Sequence, residues 1–198
     1  MSKGLPKEEK EEKGVVWSLV ESLGLGAREM ISLVGAGGKT TLMFRLAKEL
    51  VSREKRVITT TTTKILEPSP EESACLFVGP DDERIRQFVD ARLLPCRHIT
   101  IARERIGGGK LKGVSCECVK ALWEKKSADY MVIEADGAAG RPLKAPREGE
   151  PVIPSDTTLV IGLLGVDGME MELREENVLR SERFSRLTGI SMEGRITD

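Results

Sequence analysis

Met30-Ile-Ser-Leu-Val-Gly35-Ala-Gly-Gly-Lys-Thr-Thr-Leu42 is the stretch on which the fold turns. Met30–Val34 is a compact apolar run that fits a buried strand. It breaks into glycines, and beyond them Leu42, Leu46, Ala47, Leu50 and Val51 fall on one helical face. A glycine loop between a buried strand and a helix suits an anion. Glycines let backbone N–H groups converge, and the helix N-terminus adds the positive end of its dipole. Gly35 fits the strand-ending turn, and Gly37 and Gly38, after Ala36, leave room for close backbone approach. Lys39 is placed to reach the β- and γ-phosphates, the Thr40 hydroxyl to ligate Mg²⁺, and Thr41 completes the loop. The expected ligand is a nucleoside triphosphate, ATP or GTP, with Mg²⁺.

The loop is not the usual G-x-x-x-x-G-K-[ST], which would need glycine at position 33, where Leu33 stands. Its shorter G-x-x-G-K-T-T has the spacing of Mur-ligase-type enzymes. A dinucleotide fingerprint, G-x-G-x-x-G, would need glycine at position 40 and meets Thr40.

Outward from the loop, strand and helix patterns alternate. Residues 15–23 have apolar positions at helical spacing, ended by Gly24 and Gly26. Val57-Ile-Thr59 opens a second strand that runs into Thr60–Lys64, and Pro68 and Pro70 mark a loop. A short strand is expected at 74–78, a helix at 81–92, a strand at 99–102, and a loop over Gly107-Gly-Gly-Lys-Leu-Lys-Gly113. A helix at 115–126, strands at 130–133 and 158–164, and a helix at about 175–188 follow. Such alternation implies βαβ units. The expected fold class is therefore α/β, a mainly parallel sheet flanked by helices, P-loop NTPase-like. Residues 1–13 read as a flexible charged segment and 14–198 as a single nucleotide-binding domain.

A mononucleotide loop needs an acidic contact to its magnesium at the end of a neighbouring parallel strand. Tyr130-Met-Val-Ile-Glu134-Ala-Asp136-Gly137 supplies two candidates, Glu134 and Asp136, either of which can hold Mg²⁺ or polarise the attacking group. Glu134-x-x-Gly137 also has the spacing of the D-x-x-G switch of GTPases. In Gly137-Ala-Ala-Gly-Arg141-Pro-Leu-Lys144, small residues keep the backbone near a ligand. Arg141 and Lys144 offer two cations to a γ-phosphate or an anionic substrate. Thr61–Thr63 offer hydroxyls to phosphate or Mg²⁺ or simply continue the sheet. Lys64 beside them can stabilise charge on a transferred phosphoryl group. The 107–113 glycine run resembles a second anion loop without its Ser or Thr, and Lys110 is its substrate-facing candidate. Cys116-x-Cys118 is a weak metal signal, and His98, the only histidine, reads as structural.

The totals exclude other classes. Net charge −1 and 4% aromatics point away from nucleic acid. No apolar run spans a bilayer, and Met1–Lys13 lacks the apolar core of a signal peptide, so a cytoplasmic location with reduced cysteines is expected.

At Val34–Leu42, Thr60–Lys64 and above all Val132-Ile-Glu-Ala-Asp-Gly-Ala-Ala-Gly-Arg-Pro-Leu-Lys-Ala-Pro146, the chain resembles the YqeC family of selenium-dependent hydroxylase accessory proteins. Glu150-Pro-Val-Ile-Pro154 and Arg183–Gly189 extend the likeness to roughly residues 15–198. The resemblance implies a P-loop NTPase acting in maturation of selenium-dependent molybdenum hydroxylases, with such a hydroxylase or its cofactor machinery as partner. It implies functional roles for Lys39, Thr40, Glu134, Asp136, Arg141 and Lys144. The family pattern continues toward an Asn-Lys-x-Asp-like segment, which in GTPases reads guanine. The chain ends at Arg195-Ile-Thr-Asp198 without it, so a domain C-terminally incomplete relative to the family is expected, with base preference open. A small-molecule kinase or ATP-dependent ligase acting on an anionic substrate is the alternative, and a nucleotide-gated binding module a third reading.

Overall fold

The computed structural model describes residues 18–197; the charged segment expected at 1–13 and the start of the first helix lie outside the described residues. In chain order the elements are α1 (Leu19–Ser22), β1 (Glu29–Gly35), α2 (Lys39–Ser52), β2 (Val57–Thr61), β3 (Lys64–Leu66), β4 (Leu76–Val78), α3 (Asp82–Cys96) and β5 (His98–Ala102). They continue as β6 (Glu104–Ile106), β7 (Lys110–Lys112), α4 (Cys116–Glu124), β8 (Tyr130–Glu134), β9 (Leu143–Lys144), β10 (Leu159–Leu163), β11 (Val178–Leu179) and α5 (Ser181–Thr188), with a 3-10 turn at Val166–Gly168.

Six strands form one sheet in the order β10-β1-β8-β2-β5-β4, every pair parallel. Successive side chains on a strand point to opposite faces, so continuous apolar strands must be covered on both sides. Ile31, Leu33, Val57, Tyr130 and Val132 pack under α2 through Met43, Phe44, Leu46, Ala47 and Leu50. Met30, Ile58, Ile99, Met131 and Ile133 face the other way, onto Ile85, Val89 and Leu93 of α3 and Val119 and Leu122 of α4. Each fully buried Leu or Ile here contributes about 1.5–3 kcal/mol. The fold is thus α/β, a parallel sheet flanked by helices, P-loop NTPase-like.

Helix starts follow from capping. The side chains of Ser18, Asp81 and Ser115 each accept from the backbone N–H three residues on, inside α1, α3 and α4. α2 differs. Its cap is Gly38 at φ +76°, without a side-chain acceptor.

Three expectations are corrected. The run 107–113 is a β-hairpin: β6 and β7 pair antiparallel across Gly107–Gly109, and β3 joins β7 to make a three-stranded sheet. Backbone bonds from Gly113 to Thr63 O and from Val114 to Thr61 O hold the hairpin's end against β2. The expected helix at 175–188 begins only at Ser181, because Arg180 sits at φ +63° and the Glu175 carboxylate accepts from the N–H groups of Arg180 and Ser181. The segment before it instead pairs β11 with β9 around a small separate core of Leu143, Leu173, Val178 and Ile196.

The third correction concerns the threonines. Thr60 Oγ1 donates to Ile101 O, Thr61 Oγ1 to Glu134 O and Thr62 Oγ1 to Val152 O, while Thr63 N–H donates to Thr61 Oγ1. The hydroxyls of Thr60 and Thr61 tie neighbouring strands together, and that of Thr62 ties the end of β2 to the segment before β10.

Candidate functional site

Register places the site. β1 lies between β8 and β10, with Leu33 opposite Glu134 and Gly35 opposite Leu163. The loop leaving β1 therefore emerges beside the acidic end of β8. At Gly35, φ is +92° and an added Cβ would stand 2.3 Å from Leu163 O; at Gly37, φ is +70° and the Cβ would meet Gly165 Cα at 2.4 Å. Any L side chain there would be strained and would collide with backbone. A Cβ on Gly38 would meet nothing within 4 Å, so that side of the loop is open.

Charges converge beneath the loop. Thr40 Oγ1 donates to Glu134 Oε2 at 2.7 Å. Lys39 Nζ donates to Gly35 O at 2.6 Å and stands 3.3 Å from Asp136 Oδ1 and 3.9 Å from Glu134 Oε1. Asp136 Oδ2 accepts from Gly35 N–H at 2.9 Å and from Lys144 Nζ at 3.0 Å. Its other oxygen, Oδ1, is buried without a hydrogen bond; the Lys39 ammonium is at ion-pair distance but out of alignment. Lys144 also donates to Gly137 O and to Glu150 Oε2, and Arg180 grips Glu150 through both terminal nitrogens.

Burying so many ions costs several kcal/mol each before their mutual attraction is counted, so the cluster is weak evidence for stability and better evidence for a working site. Burial raises the Glu134 carboxyl above the ordinary glutamate range, more than the Thr40 hydrogen bond and the Lys39 charge lower it; Asp136 adds to the rise. Burial alone would raise Glu150 as well, but hydrogen bonds from Lys144 and Arg180 hold it below that range.

A cleft of about 790 Å³ opens over the loop. Gly37–Thr41, Glu134 and Gly137–Pro142 line it; Asp136 and Lys144 do not. The geometry thus separates the two acids. Glu134 faces the cleft beside Thr40, whereas Asp136 lies behind the loop and holds Gly35 and Lys39 in place.

The two expected cations are likewise diverted. Lys144, its side chain 3% exposed, spends its charge on Asp136 and Glu150. Arg141 lines the cleft, but its Nε donates to Glu175 O and its terminal nitrogen is 3.9 Å from the Glu175 carboxylate. Lys64 and Lys110 do reach the cleft wall. Glu150 and Arg180 were assigned no role from the sequence; an acid three residues past Arg147, just after the cations Arg141, Lys144 and Arg147, was the available signal for Glu150. The Leu164–Asp167 wall had no such signal.

The residues present fit a magnesium triphosphate. The first-turn N–H groups of α2 have no side-chain cap, which leaves donors for an anion. Thr40 and Glu134 are hard oxygen donors of the kind Mg²⁺ takes singly or in pairs, the remaining positions going to phosphates and water. No group of three or more His, Cys, Asp or Glu able to hold a metal exists among the described residues, Cys116 and Cys118 included. His98 bonds Thr59 Oγ1 through Nε2, and burial lowers its pKa to about 4. Among the described residues no helix is long and apolar enough to cross a membrane.

No solved structure matches the chain. A protein of Escherichia coli (strain K12) described as "Uncharacterized protein YqeC" is 36% identical over 175 residues, which is 88% of this chain and 66% of that relative. The chain therefore spans slightly less than two thirds of the relative's length. A model of the YqeC protein family matches residues 31–182. That span runs from β1 into α5 and takes in the whole charged cluster, from Gly35 to Arg180, and the chain belongs to the YqeC family.

Proposed function

We propose that this chain binds a nucleoside triphosphate with Mg²⁺ at Gly35–Thr41 and hydrolyses it, as a cytoplasmic accessory protein in the maturation of selenium-dependent molybdenum hydroxylases. The observation that carries the triphosphate reading is the Thr40–Glu134 hydrogen bond at the mouth of a glycine loop whose helix start has no side-chain cap. The two residues satisfy each other. Both are oxygen donors that a magnesium ion would take over, and bound there the ion supplies neutralisation of phosphate charge. Lys39, now folded back on Gly35 O, is the group that turns to the β- and γ-phosphates. Asp136 acts behind it as a positioning residue. The placement in hydroxylase maturation rests on the family resemblance; the cleft supports only the triphosphate chemistry.

The test is a thermal shift with Mg·ATP and Mg·GTP. Ligand at a hundredfold excess over Kd stabilises by about 2.7 kcal/mol. Lys39→Ala is expected to abolish that shift, and an equal shift in the variant overturns the reading. A kinase or ligase is the second reading. The extension of the cleft past the loop to Lys64 and Lys110 favours it. Phosphate release that requires an added acceptor, against release from Mg·NTP alone, separates the two.

A further inference from the structure

We infer that the far wall of the cleft is a second subsite, for a small organic oxyanion with an apolar body, and that Lys64 and Lys110 are its specificity-determining cations. This inference rests on the triphosphate reading of the loop. It begins with the charge inventory of the cleft. Lys39 and Arg141 already have partners, the carboxylates beneath the loop and Glu175. Lys64 and Lys110 line the same cleft, are exposed, and make no ion pair among the described residues.

The small sheet sets these lysines up at a cost. In the β3–β7 register Lys64 stands opposite Lys112, and Leu66 opposite Lys110. Opposed residues in an antiparallel pair share a face, and like charges directly opposite destabilise the pair. Glu104 flanks Lys112 on its other side, from β6, whereas Lys64 is on the outer strand and has no such neighbour. Lys110 lies between Leu66 and Ile106 across the three strands, with no acid opposite it. An oxyanion from the cleft relieves both.

The apolar part is drawn from the same wall and the one facing it. Leu66 is 61% exposed, Leu164 72% and Val166 87%, and all three line the cleft. Large apolar side chains exposed together at one concavity mark a binding surface better than singly scattered ones do. Asp167, the other acid of the cleft besides Glu134, belongs to the opposite wall that packs on Gly37, so it discourages an anion there and leaves the lysine side as its place.

The experiment uses the full chain saturated with magnesium and a non-hydrolysable β,γ-imido triphosphate, so that the phosphate loop is filled. Phenyl phosphate, benzoate, inorganic phosphate and benzyl alcohol are then titrated calorimetrically. Phenyl phosphate or benzoate is expected to bind at least tenfold more tightly than inorganic phosphate or benzyl alcohol, and which of the two oxyanions wins tells phosphate from carboxylate. In K64A/K110A that binding is expected to fall at least tenfold, and by a larger factor than the triphosphate affinity does. K120A, an exposed lysine on α4, should leave both unchanged. Triphosphate binding retained with no lysine-dependent binding of either aromatic anion overturns the subsite alone. Loss of imido-triphosphate binding by the unsubstituted chain overturns the triphosphate reading and the subsite with it.

Discussion

Lys39 opens α2 with its ammonium turned back on Gly35 O, between two carboxylates that do different work. Glu134 is the exposed-side partner, and burial keeps its carboxyl above the ordinary glutamate range. A carboxyl raised in the folded state binds protons there that the unfolded chain has already released. Stability of the nucleotide-free protein therefore falls as pH rises from the ordinary glutamate value, about 4.3, through the folded one. Glu134→Gln has no such proton to lose. Its urea midpoint, compared with that of the unsubstituted chain at pH 5 and 7.5, should show a relative gain at the higher pH. Parallel pH profiles would show that Glu134 is not the titrating group. Glu134 and Asp136 were both legible as strand-end acids, but the split between facing the cleft and bracing the loop was not. It depends on the register with β1, which sets Leu33 opposite Glu134 and brings Gly35 N–H to Asp136.

At the scale of the element, the β1-loop-α2 unit was readable because its causes are local: an apolar run, glycines where φ must be positive, and a helical apolar stripe. Gly37→Ala adds a side chain at φ +70° and drives its Cβ to 2.4 Å from Gly165 Cα. The left-handed conformation alone costs about 1–2 kcal/mol, and the collision adds to it. A loss of about 2 kcal/mol or more in denaturant unfolding is expected, with triphosphate binding weakened at least tenfold. An alanine variant that binds and unfolds like the parent would mean that the loop moves freely off Gly165. By contrast, the 107–113 run could not be read as a hairpin from its own residues. Three glycines serve an anion loop or a turn equally well, and β7 is fixed as a strand by pairing with β6 across them and with β3, more than 40 positions earlier. For the same reason Thr60–Thr63 gave no hint that their hydroxyls bond Ile101, Glu134 and Val152.

Across the whole molecule, a chain of contacts runs from Gly35 N–H through Asp136, Lys144 and Glu150 to Arg180, joining the phosphate loop to the small core around Leu143 and Val178. Removing one member of a buried pair leaves an uncompensated charge and typically costs about 3–5 kcal/mol. Lys144→Met should lose stability of that size, whereas Arg180→Ala, whose side chain is 27% exposed, should lose less. Lys144→Met should also weaken triphosphate binding although Lys144 does not line the cleft, because Asp136 then loses the partner that fixes it against Gly35. Wild-type stability and affinity in Lys144→Met would show that the network is incidental.

The sequence by itself determined the α/β class, the glycine loop, the strand-end acids and the family, since each is written in residues adjacent along the chain. Only the tertiary structure decided which cations are free. Arg141 and Lys144 have the same local signature as Lys64 and Lys110, a positive charge beside small residues near a strand end. The groups that hold the first two, Glu175 and Glu150, arrive by folding: burial fixes Lys144 to Glu150 and Asp136, whereas Arg141 is held at the surface by the Glu175 carbonyl, with its carboxylate 3.9 Å away. Lys64 and Lys110 are left to the cleft because their small sheet brings a second lysine and apolar neighbours to them instead of an acid.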